Sequence, residues 1–205
     1  MLLRICQISQ KLFMRYGIRS ITMDDVAREL SISKKTLYQY VADKDDLVKK
    51  TISIHLEEID QMVQTVMSKE ENAIQQILKI ADMMILLHNE VSQGLLFDLK
   101  KFHPETFDLL TEHRERTMFA QITNNLGTGI KQKLYRKDLP IELTATMYMN
   151  LVYSCIDSEV KLLKNKSFPE KYAALINYHF HAICNEEGIQ YFNKNKKTLT
   201  NITLQ

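Results

Sequence analysis

The chain has 205 residues, of which 45% are hydrophobic and 25% charged, so it is long enough to bury a large core in one or two domains. Its five glycines and three prolines leave little room for the tight turns of a sheet protein. The chain contains no run of 18 apolar residues, the length needed to cross a membrane. Three scattered cysteines exclude a disulfide framework and favour a cytoplasmic location. The sequence predicts an all-α protein.

Positive charge is concentrated at the N-terminal end. Residues 1–50 hold ten Lys and Arg against six Asp and Glu, a net charge of +4, whereas residues 51–205 hold seventeen against nineteen, a net charge of −2. A basic region of this kind is where a polyanion would bind.

The first predicted helix begins almost at Met1 and ends at Gly17, a residue suited to a left-handed C-terminal cap. Its apolar stripe consists of Ile5, Ile8, Leu12, Phe13 and Tyr16. Because the helix starts so early, a basic arm that could enter a minor groove is either missing or lies before a true start upstream of Met1.

A second helix is predicted from Thr22, whose hydroxyl can accept from the amide three residues on while Asp25 reaches back, as in a capping box. Its inner face consists of Met23, Val26, Ala27 and Leu30. The segment 31–33 interrupts this helix after about two turns.

A third helix is predicted over residues 34–40, capped by Ser33. The turn of about three residues between the second and third helices is the spacing of a helix-turn-helix. Leu37 and Val41 can face inward, which leaves an exposed run of cations, hydroxyls and phenols: Lys34, Lys35, Thr36, Tyr38 and Tyr40.

Two lysines occupy unfavourable positions at helix starts. Lys34 begins the third helix, and Lys44 follows the capping residue Asp43 at the start of the next. A cation in the first helical turn opposes the helix dipole at a cost of up to about 1 kcal/mol. Each could be an ordinary solvated lysine, but their recurrence favours a phosphate backbone lying opposite these ends.

The N-terminal quarter of the chain resembles the DNA-binding head of the TetR family of bacterial transcriptional regulators. The matching residues are Phe13, Tyr16, Gly17, Thr22, Met23, Val26, Ala27, Ser33, Thr36, Leu37, Tyr38, Tyr40, Lys44 and Leu47. The resemblance implies a helix-turn-helix head that binds DNA. It departs from the family at Ser31, where glycine is common, and at Lys35, where a small residue is common.

From these residues we expect Thr22, Ser33, Lys34, Lys35, Thr36, Tyr38, Tyr40 and Lys44 to form the DNA-binding site. Lys34, Lys44 and the Tyr40 hydroxyl should contact phosphates, and Lys35, Thr36 and Tyr38 should contact base edges. Ser31 must either adopt a left-handed conformation or close the turn in another way.

A long helix is predicted from Lys44 to about Ser68, followed by a helix over residues 70–91 and a short segment over residues 95–102. A further helix is predicted from Pro104 toward Leu126, with Gly127 and Gly129 weakening it without clearly ending it. Two further helices are predicted from Pro140 to about Lys164 and from Phe168 to about Glu186. Both carry broad apolar surfaces that need burial on two sides, so we expect them to pair with a twin subunit in a homodimer.

The predicted organisation is therefore a helix-turn-helix domain over residues 1–47, a helical ligand-binding and dimerisation domain over residues 48–192, and a frayed tail over residues 193–205. The resemblance implies the same dimerisation through the last two long helices. It also implies a small molecule that binds in the body and lowers DNA affinity.

Six residues are our candidates for the wall of that ligand pocket: Met84, Leu87, Phe97, Phe102, Met118 and Tyr148. Soft and aromatic side chains adapt to irregular apolar guests. The alternative is that these side chains only pack the core.

No catalytic, cofactor or metal site is expected. His179 and His181 are two residues apart, so on a helix they point away from each other and cannot chelate one ion. No nucleophile motif or pair of carboxylates stands out. The sequence therefore predicts a ligand-responsive repressor that binds a palindromic operator in double-stranded DNA as a homodimer. The alternative is a helical small-molecule or protein-binding module that does not bind DNA.

Overall fold

The computed structural model describes residues 1–70, 72–89, 94–156 and 165–196. Within these ranges the chain forms ten α-helices and no β-strand, which confirms the all-α prediction. The helices are α1 (Leu2–Tyr16), α2 (Met23–Glu29), α3 (Lys34–Leu37), α4 (Lys44–Lys69), α5 (Ala73–Asn89), α6 (Leu95–Phe102), α7 (Pro104–Lys131), α8 (Ile141–Ile156), α9 (Phe168–Ile183) and α10 (Glu186–Asn195).

Helix starts agree with the sequence better than helix ends do. α7 continues past Gly127 and Gly129 to Lys131. α9 ends at Ile183 instead of about Glu186, and a separate helix, α10, follows. Asn185 caps α10 by accepting from the amide of Gly188 at 2.9 Å. The predicted end of α8 near Lys164 lies outside the described residues.

The chain divides into two compact units, residues 1–62 with 89–114, and residues 63–88 with 115–205. Of the predicted tail, residues 193–195 close α10 and residues 197–205 lie outside the described part. The predicted functional boundary at residue 47 falls within the first unit and stays a prediction.

The first unit contains the helix-turn-helix and has its own core. The inward faces of α1 and α2 meet there, together with residues from α3, α4, α6 and α7. The α1 stripe is confirmed at Ile5, Ile8, Leu12 and Phe13, which lie in or against this core, but Tyr16, predicted to belong to it, is 50% exposed. The most deeply buried members of the core are Ile5, Phe13, Ile18, Val26, Leu37, Leu47, Val48 and Leu99. Gly17 ends α1 with φ at 80°, a conformation that favours glycine, and donates to the Phe13 carbonyl at 2.9 Å.

The second unit is held by a polar network inside an apolar core. The buried Asn125 side chain donates to the Ala73 carbonyl and to the Gln76 side chain, both at 2.9 Å, and accepts from the Tyr135 hydroxyl at 3.1 Å. Gly129 makes room for the Tyr135 ring, because a Cβ there would lie about 2.1 Å from it. The network ties α5 to α7 and to the segment that follows α7.

An aromatic group lies between α8 and α9 in the same core. The ring centroids of Tyr148 and His179 are 4.3 Å apart, and the hydroxyls of Tyr148 and Tyr172 are 3.5 Å apart. His179 is only 5% exposed. Burial therefore disfavours the imidazolium and lowers the pKa of His179 to about 3.

His179 should make this protein acid-sensitive. The imidazole is neutral when folded but protonates near pH 6.5 when unfolded, so between pH 6.5 and 3 the unfolded state binds more protons. The free energy of unfolding should fall with decreasing pH below 6.5, approaching about 1.4 kcal/mol per pH unit from this group. His179→Gln should remove that part of the slope in urea unfolding measured between about pH 7 and 5.

His181→Gln is the matched control, because the His181 side chain is exposed. His55 and His88, whose pKa values are also lowered by burial, are unchanged in both variants. A wild-type slope in the His179 variant would contradict the assignment.

Candidate DNA-binding site

The site is built on two short helices whose starts are capped. Thr22 Oγ1 accepts from the Asp25 amide at 3.2 Å, and Asp25 accepts from the Thr22 amide at 2.9 Å and from its hydroxyl at 2.6 Å. This capping box confirms the predicted start of α2. Hydrogen bonds from Thr22 lower the pKa of the Asp25 carboxyl, which keeps the cap charged. The Thr22 side chain is thereby engaged within the chain.

The turn between α2 and α3 closes through a left-handed Ser31. Its φ is 56°, so the residue adopts the conformation for which relatives of this motif use glycine. The Ser31 amide donates to the Arg28 carbonyl and the Ile32 amide to the Ala27 carbonyl, both at 3.0 Å. These two bonds form a Schellman motif, which satisfies the last carbonyls of α2.

α3 is shorter than predicted and is held at both ends. Ser33 accepts from the Thr36 amide at 3.0 Å, which confirms the predicted cap, and its hydroxyl lies 2.7 Å from that of Thr36. The helix ends at Leu37, which is completely buried. The predicted end at residue 40 is wrong, because the amides of residues 39 and 40 bond three residues back and tighten the backbone.

The predicted reading residues lie on the outer side of this short element. Lys34 and Lys35 are exposed and Thr36 is half-buried, while Tyr38 and Tyr40 are 43% and 37% exposed. The inward side chains Leu37 and Val41 fix the orientation of this side, because they anchor it in the core. The structure therefore brings the five side chains together on one short stretch.

Lys34 has a partner in α2 that no local sequence pattern indicates. Its Nζ lies 3.0 and 3.1 Å from the two carboxylate oxygens of Asp24 in α2. The hydrogen bond to Asp24 raises the pKa of Lys34. An anion within the chain thus offsets part of the unfavourable dipole interaction at the start of α3, so that interaction alone is weaker support for a phosphate than the sequence suggested.

Lys44 lies in a more enclosed position at the start of α4. It is half-buried, and burial lowers its pKa despite the nearby carboxylates of Asp98 and Asp45. Asp43 accepts from the Asp46 amide at 2.8 Å, which confirms the predicted cap. Lys44 therefore lies within the electrostatic reach of Asp98 in α6.

α6 and the α6–α7 junction contact the head through polar groups. Asp98 accepts from the Arg19 amide at 2.9 Å, and Nδ1 of His103 lies 2.7 Å from an Asp45 oxygen. Sequence reasoning missed these contacts, since 79 residues separate Arg19 from Asp98 and no local pattern signals their proximity.

The six predicted pocket residues are divided between the two units. Tyr148 is buried and Met84, Leu87 and Met118 are half-buried in the second unit. Phe97 and Phe102 belong to the first, where they are 60% and 41% exposed.

Tyr148, packed against His179, has the environment of a core side chain. An open depression of about 420 Å³ on the first unit contains none of the six; its lining is Leu12, Tyr16, Ser20, Ile21, Asp25, Arg28 and Glu29.

The described residues provide neither a cluster of metal-ligating side chains nor a membrane-spanning helix. In the described ranges, no group of three His, Cys, Asp or Glu side chains is arranged to hold a metal ion. None of the helices described there has the length and hydropathy needed to span a bilayer.

Comparison with known proteins places the site in context. Residues 9–51 match the model of bacterial regulatory proteins of the tetR family. The uncharacterized HTH-type transcriptional regulator YvaF of Bacillus subtilis (strain 168) is 28% identical over 171 residues, which cover 82% of this chain and 88% of that protein.

Solved structures share the fold. A transcriptional regulator from Saccharomonospora viridis in complex with choline gives a TM-score of 0.74 at 18% identity, covering 90% of this chain and 98% of that one. A TetR-family regulator from Agrobacterium tumefaciens gives 0.68 at 18% identity, covering 90% and 97%.

Backbone strain at the left-handed Ser31 can be tested by measuring the stability of a glycine variant. Ser31→Gly should raise the free energy of unfolding by about 0.5–1 kcal/mol, because glycine adopts a positive φ without a clash at Cβ. Lys133→Gly, where φ is 59°, should act in the same direction. Urea unfolding monitored by circular dichroism measures both.

Ser33→Ala serves as the opposite control, since loss of this cap should cost about 1 kcal/mol. A Ser31→Gly variant no more stable than the wild type would show that the turn carries no strain.

Proposed function

The chain belongs to the TetR family of DNA-binding transcriptional regulators, and on that premise we propose that it is a ligand-responsive repressor that binds a palindromic operator as a cytoplasmic homodimer. The family is one of regulators and not of enzymes. The observation that carries the proposal is the exposed run of side chains on α3 and the turn after it.

Each subunit would place α3 in a major groove of double-stranded DNA. Lys35, Thr36 and Tyr38 would contact base edges, since lysine can donate to guanine and a threonine methyl can contact that of thymine. Lys34, Lys44 and the Tyr40 hydroxyl would contact phosphates and set the register. Two related heads would then read half-sites about one helical turn apart. The net charge of +4 on residues 1–50 supports this assignment.

The homodimer would form through α8 and α9. These helices pack on each other through their buried faces, yet α8 also carries an exposed apolar stripe of Leu143, Met147 and Leu151, and Tyr178 of α9 is 65% exposed. The stripe repeats every four residues, so it lies along one side of the helix. A second copy of the chain would cover it and form a two-fold four-helix interface.

A small-molecule effector would bind in the second unit. The structurally similar regulator from Saccharomonospora viridis was solved with choline, which shows that a related fold can hold a small molecule. In this chain Asp82 Oδ1 on α5 is buried and makes no hydrogen bond to the described residues, and burial raises the pKa of that carboxyl. An effector with a cationic or N–H group could supply the missing donor.

Release from DNA would follow if the effector has different affinities for the DNA-bound and DNA-free conformations of the protein. α4 contributes residues to both compact units, so it is a continuous element between the DNA-binding helices and the second unit. An effector that binds more tightly to the DNA-free conformation would lower DNA affinity by the ratio of its two affinities.

DNA recognition can be tested by selecting duplexes from a random library with the wild-type protein. Thr36→Ala and Tyr38→Ala should change the enriched sequence. Lys44→Ala should weaken binding to the enriched duplex and to a scrambled duplex by similar factors. It should also reduce the slope of log K against log salt concentration by about 1, because one phosphate contact is lost. Fluorescence anisotropy at several salt concentrations measures the slope.

Lys131→Ala is the control for net charge, since Lys131 is exposed in the last turn of α7. Equal slopes for the Lys44 and Lys131 variants would remove Lys44 from the site, and failure to enrich any duplex would overturn the proposed function.

The dimer interface can be tested by placing a charge in the apolar stripe. Met147→Glu should convert the dimer to monomers at micromolar concentration, because a carboxylate buried in the interface would have no partner. Size-exclusion chromatography with light scattering gives the mass. Leu86→Glu is the matched control, since Leu86 on α5 is 59% exposed and Met147 is 60% exposed. If the Met147 variant keeps the wild-type mass, the interface lies elsewhere.

A further inference from the structure

The net positive charge of the N-terminal region comes from α1 and the loop after it. Residues 1–23, which contain both, hold four Lys and Arg and no Asp or Glu. Residues 24–50, which contain α3 and most of α2, hold six Lys and Arg and six Asp and Glu. The helix-turn-helix itself is therefore close to neutral, and the net charge of +4 belongs to the helix that precedes it.

Three of these four cations form a stripe along one side of α1. Arg4, Lys11 and Arg15 are separated by seven and four residues, so at 3.6 residues per turn they lie on the same side of the helix. All three are exposed, whereas the buried side chains Ile5 and Phe13 belong to the opposite side. We call these three residues the α1 basic stripe.

The α1 basic stripe differs from the lysines of the helix-turn-helix in its neighbours. Lys34 is paired with Asp24 at 3.0 Å. Across the part of the chain that the structure describes, no carboxylate forms an ion pair with a stripe cation. The Arg15 guanidinium lies instead 5.1 Å from the centroid of the Tyr16 ring, which limits its movement without cancelling its charge.

The fourth cation continues this series toward the predicted DNA-binding site. Arg19 is exposed and lies in the loop between α1 and α2, three residues before Thr22. Its guanidinium also lies over an aromatic ring, 5.3 Å from the centroid of Phe102. Cations held by rings therefore follow the chain from the end of α1 to the capping residue of α2.

A nucleic-acid backbone suits the α1 basic stripe better than a membrane surface does. The stripe extends over eleven residues, or about 16 Å of helix, which is the length of about five phosphates along one strand of B-DNA. A helix that binds a membrane surface inserts its apolar face between the lipids. The apolar face of α1 is not free to do so, because Ile5 and Phe13 are buried in the core of the first unit.

We infer that the α1 basic stripe is a second, sequence-independent part of the DNA interface, which binds phosphates in addition to those assigned to Lys34 and Lys44. The inference rests on the proposed function, because it needs a protein that binds DNA. Phosphate contacts carry no direct sequence information. The stripe should therefore supply affinity and salt dependence without changing which sequence is preferred.

The test uses a triple variant, Arg4→Gln with Lys11→Gln and Arg15→Gln. It is compared with the wild type on a duplex enriched from a random library by the wild-type protein and on a scrambled duplex of the same composition. The triple variant should bind both duplexes more weakly by the same factor, at least several-fold. Its slope of log K against log salt concentration should be smaller by about 2.7, three times the value for one phosphate. Fluorescence anisotropy measures both quantities.

Two controls separate the position of the charge from its amount. Glutamine at Lys69, Lys131 and Lys137 removes three exposed cations from the second unit and should change the slope much less. Exchange of the stripe residues for the other basic residue, Arg4→Lys with Lys11→Arg and Arg15→Lys, should keep the wild-type slope.

A single variant guards against a failure of the triple variant to fold. Lys11→Gln alone should reduce the slope by about 0.9. Thermal unfolding followed by circular dichroism shows which variants are folded, and the slopes of the folded ones decide the result.

The outcomes separate the inference from the proposed function. If the stripe variants change the slope no more than the second-unit control, or if the triple variant enriches a different sequence, the inference is overturned and the proposed function stands. Unchanged DNA binding with lost binding to phosphatidylglycerol vesicles would assign the stripe to a membrane and overturn the inference as well. If the wild-type protein enriches no sequence, the proposed function fails and the inference fails with it.

Discussion

The DNA-binding surface depends on the capping of two helices that are too short to be stable alone. α2 has seven residues and α3 has four, whereas isolated helices shorter than about 12 residues are marginal in water. The Thr22 capping box, the Schellman turn at Ser31 and the Ser33 cap satisfy their end groups, while Val26 and Leu37 anchor them in the core. The side chains predicted to read DNA have a fixed backbone because these local bonds and contacts leave it few alternatives.

The second unit is stabilised by a buried polar network. Asn125 connects α5, α7 and the Tyr135 segment through three hydrogen bonds in a site closed to water. Such a network is favourable only when all its members are satisfied, so it specifies one packing of these helices. Gly129 belongs to the same arrangement, because any side chain there would occupy the space of the Tyr135 ring.

Several cations of the N-terminal helices have carboxylates close to them. Lys34 is paired with Asp24, Arg28 lies 3.4 Å from Asp25, and Lys44 has the carboxylates of Asp45 and Asp98 nearby. A basic surface with carboxylates beside its cations attracts DNA less strongly than its lysines alone would.

The sequence by itself determined the helical class, the inward faces of α1 to α3 except at Tyr16, the caps at Thr22, Ser33 and Asp43, and the exposed side chains between Lys34 and Tyr40. Each is a local property, set by residues within three or four positions of one another. It also carries a signal for α10 in Asn185 followed by two glutamates, although the predicted continuation of α9 to about Glu186 runs across that helix start. Only the tertiary structure decided that Ser31 is left-handed, that α3 ends at Leu37 and that Tyr148 is packed against His179.

Tertiary structure likewise decided the partners of the charged groups. Asp24 and Lys34 are ten residues apart, and Arg19 and Asp98 are 79 apart. Whether such groups meet depends on the turn angles and core packing between them, which no short pattern records. Capping could therefore be predicted from the sequence because its geometry is fixed within one helical turn, whereas the pairing of Lys34 could not, because it depends on how α2 and α3 pack.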